Sequence, residues 1–251
     1  MGEAELITES RQLIIHAVLV FYGDEATENL SIQIARDIAD HWNEAGGRVM
    51  IGSRTYEVLF DMQGFWAPVL DPVTVYENTD PRFNYFRVET YARTDVSFVD
   101  GVGCNTGYFK LDNLLDNSTT AAHEFGHTLG LDHPSVLDIR GQGRPGIMYP
   151  RGTIVDPPYQ YDPSAAPLGP GGTMNPFARK VQQQDIAKYY SPMSWHCMLA
   201  GYGNFPKQEL LKPPSPDAPR VDMADVDRFV SGCAMNFPPL TDALKHLEKA
   251  A

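Results

Sequence analysis

Residues 123–133 read His-Glu-Phe-Gly-His-Thr-Leu-Gly-Leu-Asp-His, and three of the chain's seven histidines fall inside that stretch. On a helix over 119–129, His123 and His127 lie one turn apart and project from the same face, so both imidazoles can meet one metal ion. Glu124 sits one step around the helix beside that ion. Gly130 can end the helix, because glycine enters the left-handed conformation without a Cβ penalty. The chain then turns and returns His133 as a third ligand. Three neutral nitrogens suit a tetrahedral zinc site whose fourth position stays open to water, the catalytic rather than the structural arrangement. The plainer reading is a surface helix carrying two histidines and a glutamate. The glycine and the third histidine at these offsets weigh against it.

Gly146-Ile147-Met148-Tyr149-Pro150 follows His133 by about one loop. With these two segments the chain resembles the metzincin clan of zinc endopeptidases, whose long zinc motif is followed by a methionine turn beneath the metal. Within the clan it looks most like the matrixins, in both the histidine segment and Ile-Met-Tyr-Pro. Pro134, after the third histidine, is more like the serralysins, and the loop Ser135–Pro145 is longer than is typical of matrixins. Tyr149 directly follows the methionine, as in matrixins. The zinc-linked tyrosine of astacins and serralysins stands one residue later, so Tyr149 is not taken as a ligand.

The resemblance implies an α+β fold: a twisted mixed β-sheet with a backing helix and an active-site helix. Sheet, backing helix and zinc helix fill an upper lobe over 1–133. A small lower lobe over 134–192 holds the methionine turn and a C-terminal helix. Residues 193–251 remain an unassigned extension expected to pack on or over the domain. The resemblance further implies Zn2+ on His123, His127 and His133, with Glu124 as general base and Met148 packing below the metal. Gly107, Tyr108, Phe109 and Lys110 would form the sheet edge that pairs with an extended substrate. An ordinary core strand is the competing reading there. Tyr149 and Pro150 would wall the pocket for the residue after the scissile bond.

The expected function is zinc-dependent endopeptidase, acting through a metal-activated water and a glutamate base. Two alternatives stand beside it: a zinc amidohydrolase for a non-protein or cell-wall peptide, and a non-catalytic metzincin-like binding module. Partners are then a protein or peptide substrate, with no nucleic acid, no membrane and a monomeric state. An extracellular or exported location goes with this reading.

Several elements must position these residues. Leu13 to Phe21, rich in branched apolar residues, reads as a buried strand. Thr27 to Ala45 is an amphipathic helix with Leu30, Ile34, Ile38 and Trp42 on one face, ended by Gly46-Gly47. Arg48–Phe60, Val73–Tyr76, Phe83–Tyr91, Val96–Val99 and Thr106–Leu111 carry the branched and aromatic residues of further strands. Asn117-Ser118-Thr119 supplies caps for the zinc helix. Residues 151–176 read as a long irregular loop, and Arg179–Tyr190 as a helix. His16 reads as a core or edge residue, and His41 as a last-turn residue serving the helix dipole.

The chain has 251 residues, enough for one domain with two lobes. Its 20 basic against 32 acidic residues give a net charge of −12, which argues against a phosphate-backbone partner. The longest apolar run, Leu13–Tyr22, is too short to span a bilayer, and Met1–Arg11 lacks the pattern of a secretory signal. Three cysteines, Cys104, Cys197 and Cys233, make no paired framework, and one bridge or three thiols both fit. The histidine and aspartate cluster of the matrixin structural zinc is not found, nor is a propeptide cysteine motif. Asp100, Asp112, Asn113, Asp116 and Asn117 offer hard oxygen donors, but no loop spacing supports Ca2+, and a solvated polar loop is the preferred reading. His196, next to Cys197, is weak evidence for a metal.

Overall fold

The computed structural model describes residues 1–92 and 95–189 and the backbone of a two-residue strand further on. The order is β1 (Glu3–Ile7), β2 (Gln12–Tyr22), α1 (Glu28–Asn43), β3 (Arg48–Ile51), β4 (Arg54–Trp66), α2 (Pro72–Tyr76), β5 (Phe83–Glu89), β6 (Phe98–Val99), β7 (Thr106–Lys110), α3 (Thr120–Thr128), α4 (Gln183–Tyr189) and β8 (Met198–Leu199). The strands form one mixed sheet ordered β3-β4-β2-β5-β7-β6, with β1 on β2 and β8 on β1. The fold is mixed α/β, a mixed sheet with few helices.

The central strand explains the architecture. In β2, Leu13, Ile15, Ala17, Leu19 and Phe21 enter the main core with α1 and α3. Val18, Val20 and Tyr22 face a smaller core with Ala67, Leu70, Phe83 and Tyr85. A strand covered on both faces reads as an unbroken apolar run, which is how 12–22 is written. It pairs in parallel with β4 along Gln12–Phe21. Its other side is shared: β1 pairs antiparallel over Gln12–His16, and β5 in parallel over Val18–Tyr22.

Helix α1 begins where Thr27 accepts the Leu30 amide at 3.2 Å, and buries Ile34, Ile38 and Trp42. It lies so close to β4 that a Cβ on Gly64 would collide with the Ser31 carbonyl. Trp42, fully buried, packs on Phe60 with ring centroids 5.0 Å apart and edge-on to Phe125 of α3 at 6.1 Å. Its indole Nε1 donates to the Ala122 carbonyl at 3.1 Å. Helix α3 is nine residues long, too short to be stable alone, and takes its place from this docking.

Several expectations are corrected. Val73–Tyr76 lies in a helix, α2: Asp71 accepts the Val73 amide at 2.9 Å and Pro72 opens the first turn. Arg48–Phe60 is a hairpin, β3–β4, closed by Gly52-Ser53 with Gly52 at φ 57°. Strand β7 is no edge, because β6 pairs with it at Phe98↔Tyr108 and Val99↔Gly107. The last helix is shorter than 179–190, starting at Gln183. Strand β1 carried no sequence signal; Asn84 holds the chain start beside it, donating to the Met1 carbonyl at 2.9 Å. The extension over 193–251 lies outside the described residues except for Met198–Leu199, and so do His196, Cys197, Cys233 and His246. Among the described residues no helix is long and apolar enough to cross a membrane.

Candidate metal centre

The three histidines meet. His133 Nε2 lies 3.2 Å from Nε2 of His123 and 3.1 Å from Nε2 of His127. They are positioned to bind one metal ion, and form the one group of three or more potential His, Cys, Asp or Glu ligands among the described residues. Asp100, Asp112 and Asp116 make no such gathering.

Each step of this convergence has a local cause. At the helix start, Ser118 Oγ accepts the Thr120 amide at 3.1 Å, while Thr119 Oγ1 donates away to the Pro176 carbonyl at 2.6 Å. At the end, Gly130 adopts φ 89°. Its amide donates to the His127 carbonyl at 3.0 Å, and the Leu131 amide to the Gly126 carbonyl at 3.1 Å. This paired bonding closes the helix with a left-handed residue and turns the chain so that His133 comes back over it.

Two backbone carbonyls set the ring protons. His123 Nδ1 donates to Ile147 O and His127 Nδ1 to Leu131 O, both at 2.7 Å. A carbonyl can only accept, so Nδ1 carries the proton and Nε2 keeps its lone pair for a metal. Burial, then the Arg179 charge and the neighbouring rings, hold His123 well below the ordinary histidine range. Burial also lowers His127 and His133. All three are thus held toward the neutral form, the form that binds a metal.

Met148 packs below. It is buried in the main core, with its sulfur against Gly126 between the two helical histidines. The neighbouring Ile147 supplies the carbonyl to His123, so one short turn supports the site by packing and by hydrogen bonding.

Glu124 is buried beside the histidines. Burial raises its carboxyl to about 8, against the lowering pull of Arg179 and of a backbone hydrogen bond with Val99. Glu124 and the three histidines line a cavity of about 480 Å³.

The other expected site residues divide. Pro150 lines the cavity. Tyr149 does not; its ring packs on Ile139, Val155 and Met174 and its carbonyl accepts from Arg179 Nη1 at 3.3 Å. None of Gly107, Tyr108, Phe109 and Lys110 lines the cavity either. Phe109 is fully buried, Tyr108 donates to the Tyr91 carbonyl, and Lys110 pairs with Asp95 and Asp112. A Cβ on Gly107 would meet the Phe98 carbonyl at 2.6 Å, so glycine admits the covering strand. In their place the wall is Val96–Val99, together with Arg151 and Arg179. Sequence reading missed both arginines. Arg179 opened a stretch read as helix, and Arg151 a stretch read as loop, and neither type nor spacing marked them.

In comparisons with known proteins, no family profile matches the chain and no curated sequence matches it.

Proposed function

We propose that the protein is a zinc-dependent endopeptidase of metzincin type. The observation that carries this reading is the meeting of three Nε2 atoms beside a buried glutamate on the wall of one open cavity. Nitrogens bound to one ion at ~2.05 Å with tetrahedral angles stand about 3.3 Å apart, and the two short separations here are close to that. The tautomers fixed by Ile147 and Leu131 fit such an ion, and so does the soft support of Met148. Bound there, zinc would supply a Lewis acid for the scissile carbonyl and a water acidified toward neutral pH.

The protein groups do the rest. Glu124, buried on the cavity wall beside the histidines, accepts the water's proton and delivers it to the leaving amine. The Arg179 charge and a backbone hydrogen bond with Val99 favour its ionised form, the form a base needs. Strand β6 ends the sheet beside the cavity, and its outer edge offers backbone groups to an extended peptide. Pro150 forms part of the wall.

The deciding experiment measures zinc content and cleavage of unfolded casein by the wild-type chain and Glu124→Ala. One zinc per chain in both, with cleavage only in the wild type, is the expected result. A loss of about 10²–10⁴-fold or more is the size of a general-base contribution. Casein cleavage by Glu124→Ala at the wild-type rate would remove the mechanism.

A further inference from the structure

Arg179 is an unusual residue to find in this cavity wall. It is 3 % exposed, yet no ion pair to a carboxylate neutralises it among the described residues. Its Nε donates to Thr119 Oγ1 at 3.0 Å and to the Pro176 carbonyl at 3.3 Å, and its Nη1 to the Tyr149 carbonyl at 3.3 Å. Nη2 has no protein acceptor among these bonds. Arg151 stands on the same wall, with Nη2 on the amide oxygen of Asn113 at 2.9 Å and no carboxylate ion pair among the described residues. Burial pulls Arg179 down to about 10, which leaves it charged at neutral pH, and Glu124 is the acidic group that supports that charge.

A buried cation without an anionic partner is costly, and the usual compensations are pairing or a ligand that brings the missing charge. Among the described residues no carboxylate is ion-paired with either arginine: Glu124 acts on Arg179, and Asp95 on Arg151, only through space. A guanidinium presents a planar fork of donors that matches a carboxylate in two bonds. The wall therefore has the charge and the donor geometry to take a carboxylate from outside.

We propose that Arg151 and Arg179 form a carboxylate-recognition subsite of this cleft. It selects peptides that carry an acidic side chain, or a free C-terminal carboxylate, close to the bond held over the histidines. The proposal rests on the peptide-hydrolysing reading of the site. Arg179 supplies a charge locked by its three backbone and hydroxyl contacts. Arg151, only partly buried, closes the subsite from the Asn113 side.

The test is binding, so that it does not depend on turnover. Zinc-loaded full-length Glu124→Gln protein is titrated calorimetrically with acetylated peptide amides in which a single Glu or Gln is moved along the peptide. A second set compares free-acid and amide C-termini. Glu should bind about tenfold tighter than Gln at one position, or the free acid tighter than the amide, and which set responds identifies the source of the carboxylate. Adding Arg151→Gln should bring that ratio close to one, and Arg179→Lys, which keeps charge but loses the fork, should reduce it. Ratios near one in the parent protein, absence of binding by every peptide, or a ratio unmoved by Arg151→Gln would each overturn the proposal. Failure of the peptidase reading looks different: carboxylate-selective binding with no casein cleavage by the wild type. Casein cleavage without carboxylate selectivity sinks the subsite alone.

Discussion

Gly126 faces the sulfur of Met148 with no room for a Cβ between them; one added there would overlap Sδ and approach Trp42 at 3.3 Å. The glycine between the two helical histidines is thus a packing requirement of the turn below. Gly126→Ala is expected to cost roughly 1–3 kcal/mol, as overpacking does, and to weaken metal binding by displacing the helix. Thermal unfolding and metal titration would show both. The double variant Gly126→Ala, Met148→Ala should recover part of the loss, and strict additivity would mean the two residues are not coupled as described.

Gly130 holds φ 89°, where a side chain costs roughly 1–2 kcal/mol. Gly130→Ala should lower stability by about that amount. Because the same turn directs His133, metal affinity should also fall, by roughly tenfold. A stable variant with wild-type affinity would show that His133 is positioned by something else.

Removing the metal is expected to leave a folded protein, because the ligands are held by carbonyls and by packing. At a metal concentration 100 times the dissociation constant, binding adds about 2.7 kcal/mol, or ~5–10 °C in Tm for a chain of this size. A chelator should abolish that increment, and His127→Ala should show none. Unfolding on chelation would contradict the preformed site.

His16 lies between two carboxylates, with Nε2 3.0 Å from Glu5 and Nδ1 3.0 Å from Asp61. Burial lowers its pKa, but the hydrogen bonds to Asp61 and Glu5 outweigh this and raise it overall. A raised histidine contributes stability that is complete below its ordinary value near 6.5 and is lost as pH rises through the folded value. Asp61 is held below its ordinary range by the His16 hydrogen bond, so its share is present above that range and lost in acid. Tm should therefore decline from pH 6 toward 8 in the wild type, and His16→Gln should flatten that slope. An equal slope in both would refute the pairing.

The helix start, its glycine stop and the returning histidine were legible because each is a local effect of residue type and spacing. The long apolar run of β2 and the period of α1 were legible for the same reason. Order within the sheet was not. Phe98–Val99 covers β7 through long-range pairing, and nothing in Thr106–Lys110 announces a neighbour on that side. Val73–Tyr76 misled because its β-branched residues outweighed the Asp71-Pro72 start that makes it a helix. Arg151 and Arg179 were invisible because chain folding alone brings them to the cavity wall, and neither lies at a motif spacing from the histidines.

Trp42 has a use beyond packing. Its indole, without solvent exposure, touches Phe125 and hydrogen-bonds the backbone of α3, whereas Trp66 is 42 % exposed. The two should emit at distinct wavelengths, Trp42 to the blue. Trp42 is thereby an optical reporter of α3: with Trp66 and Trp195 replaced by phenylalanine, the moment at which that helix docks during refolding can be followed in the emission spectrum.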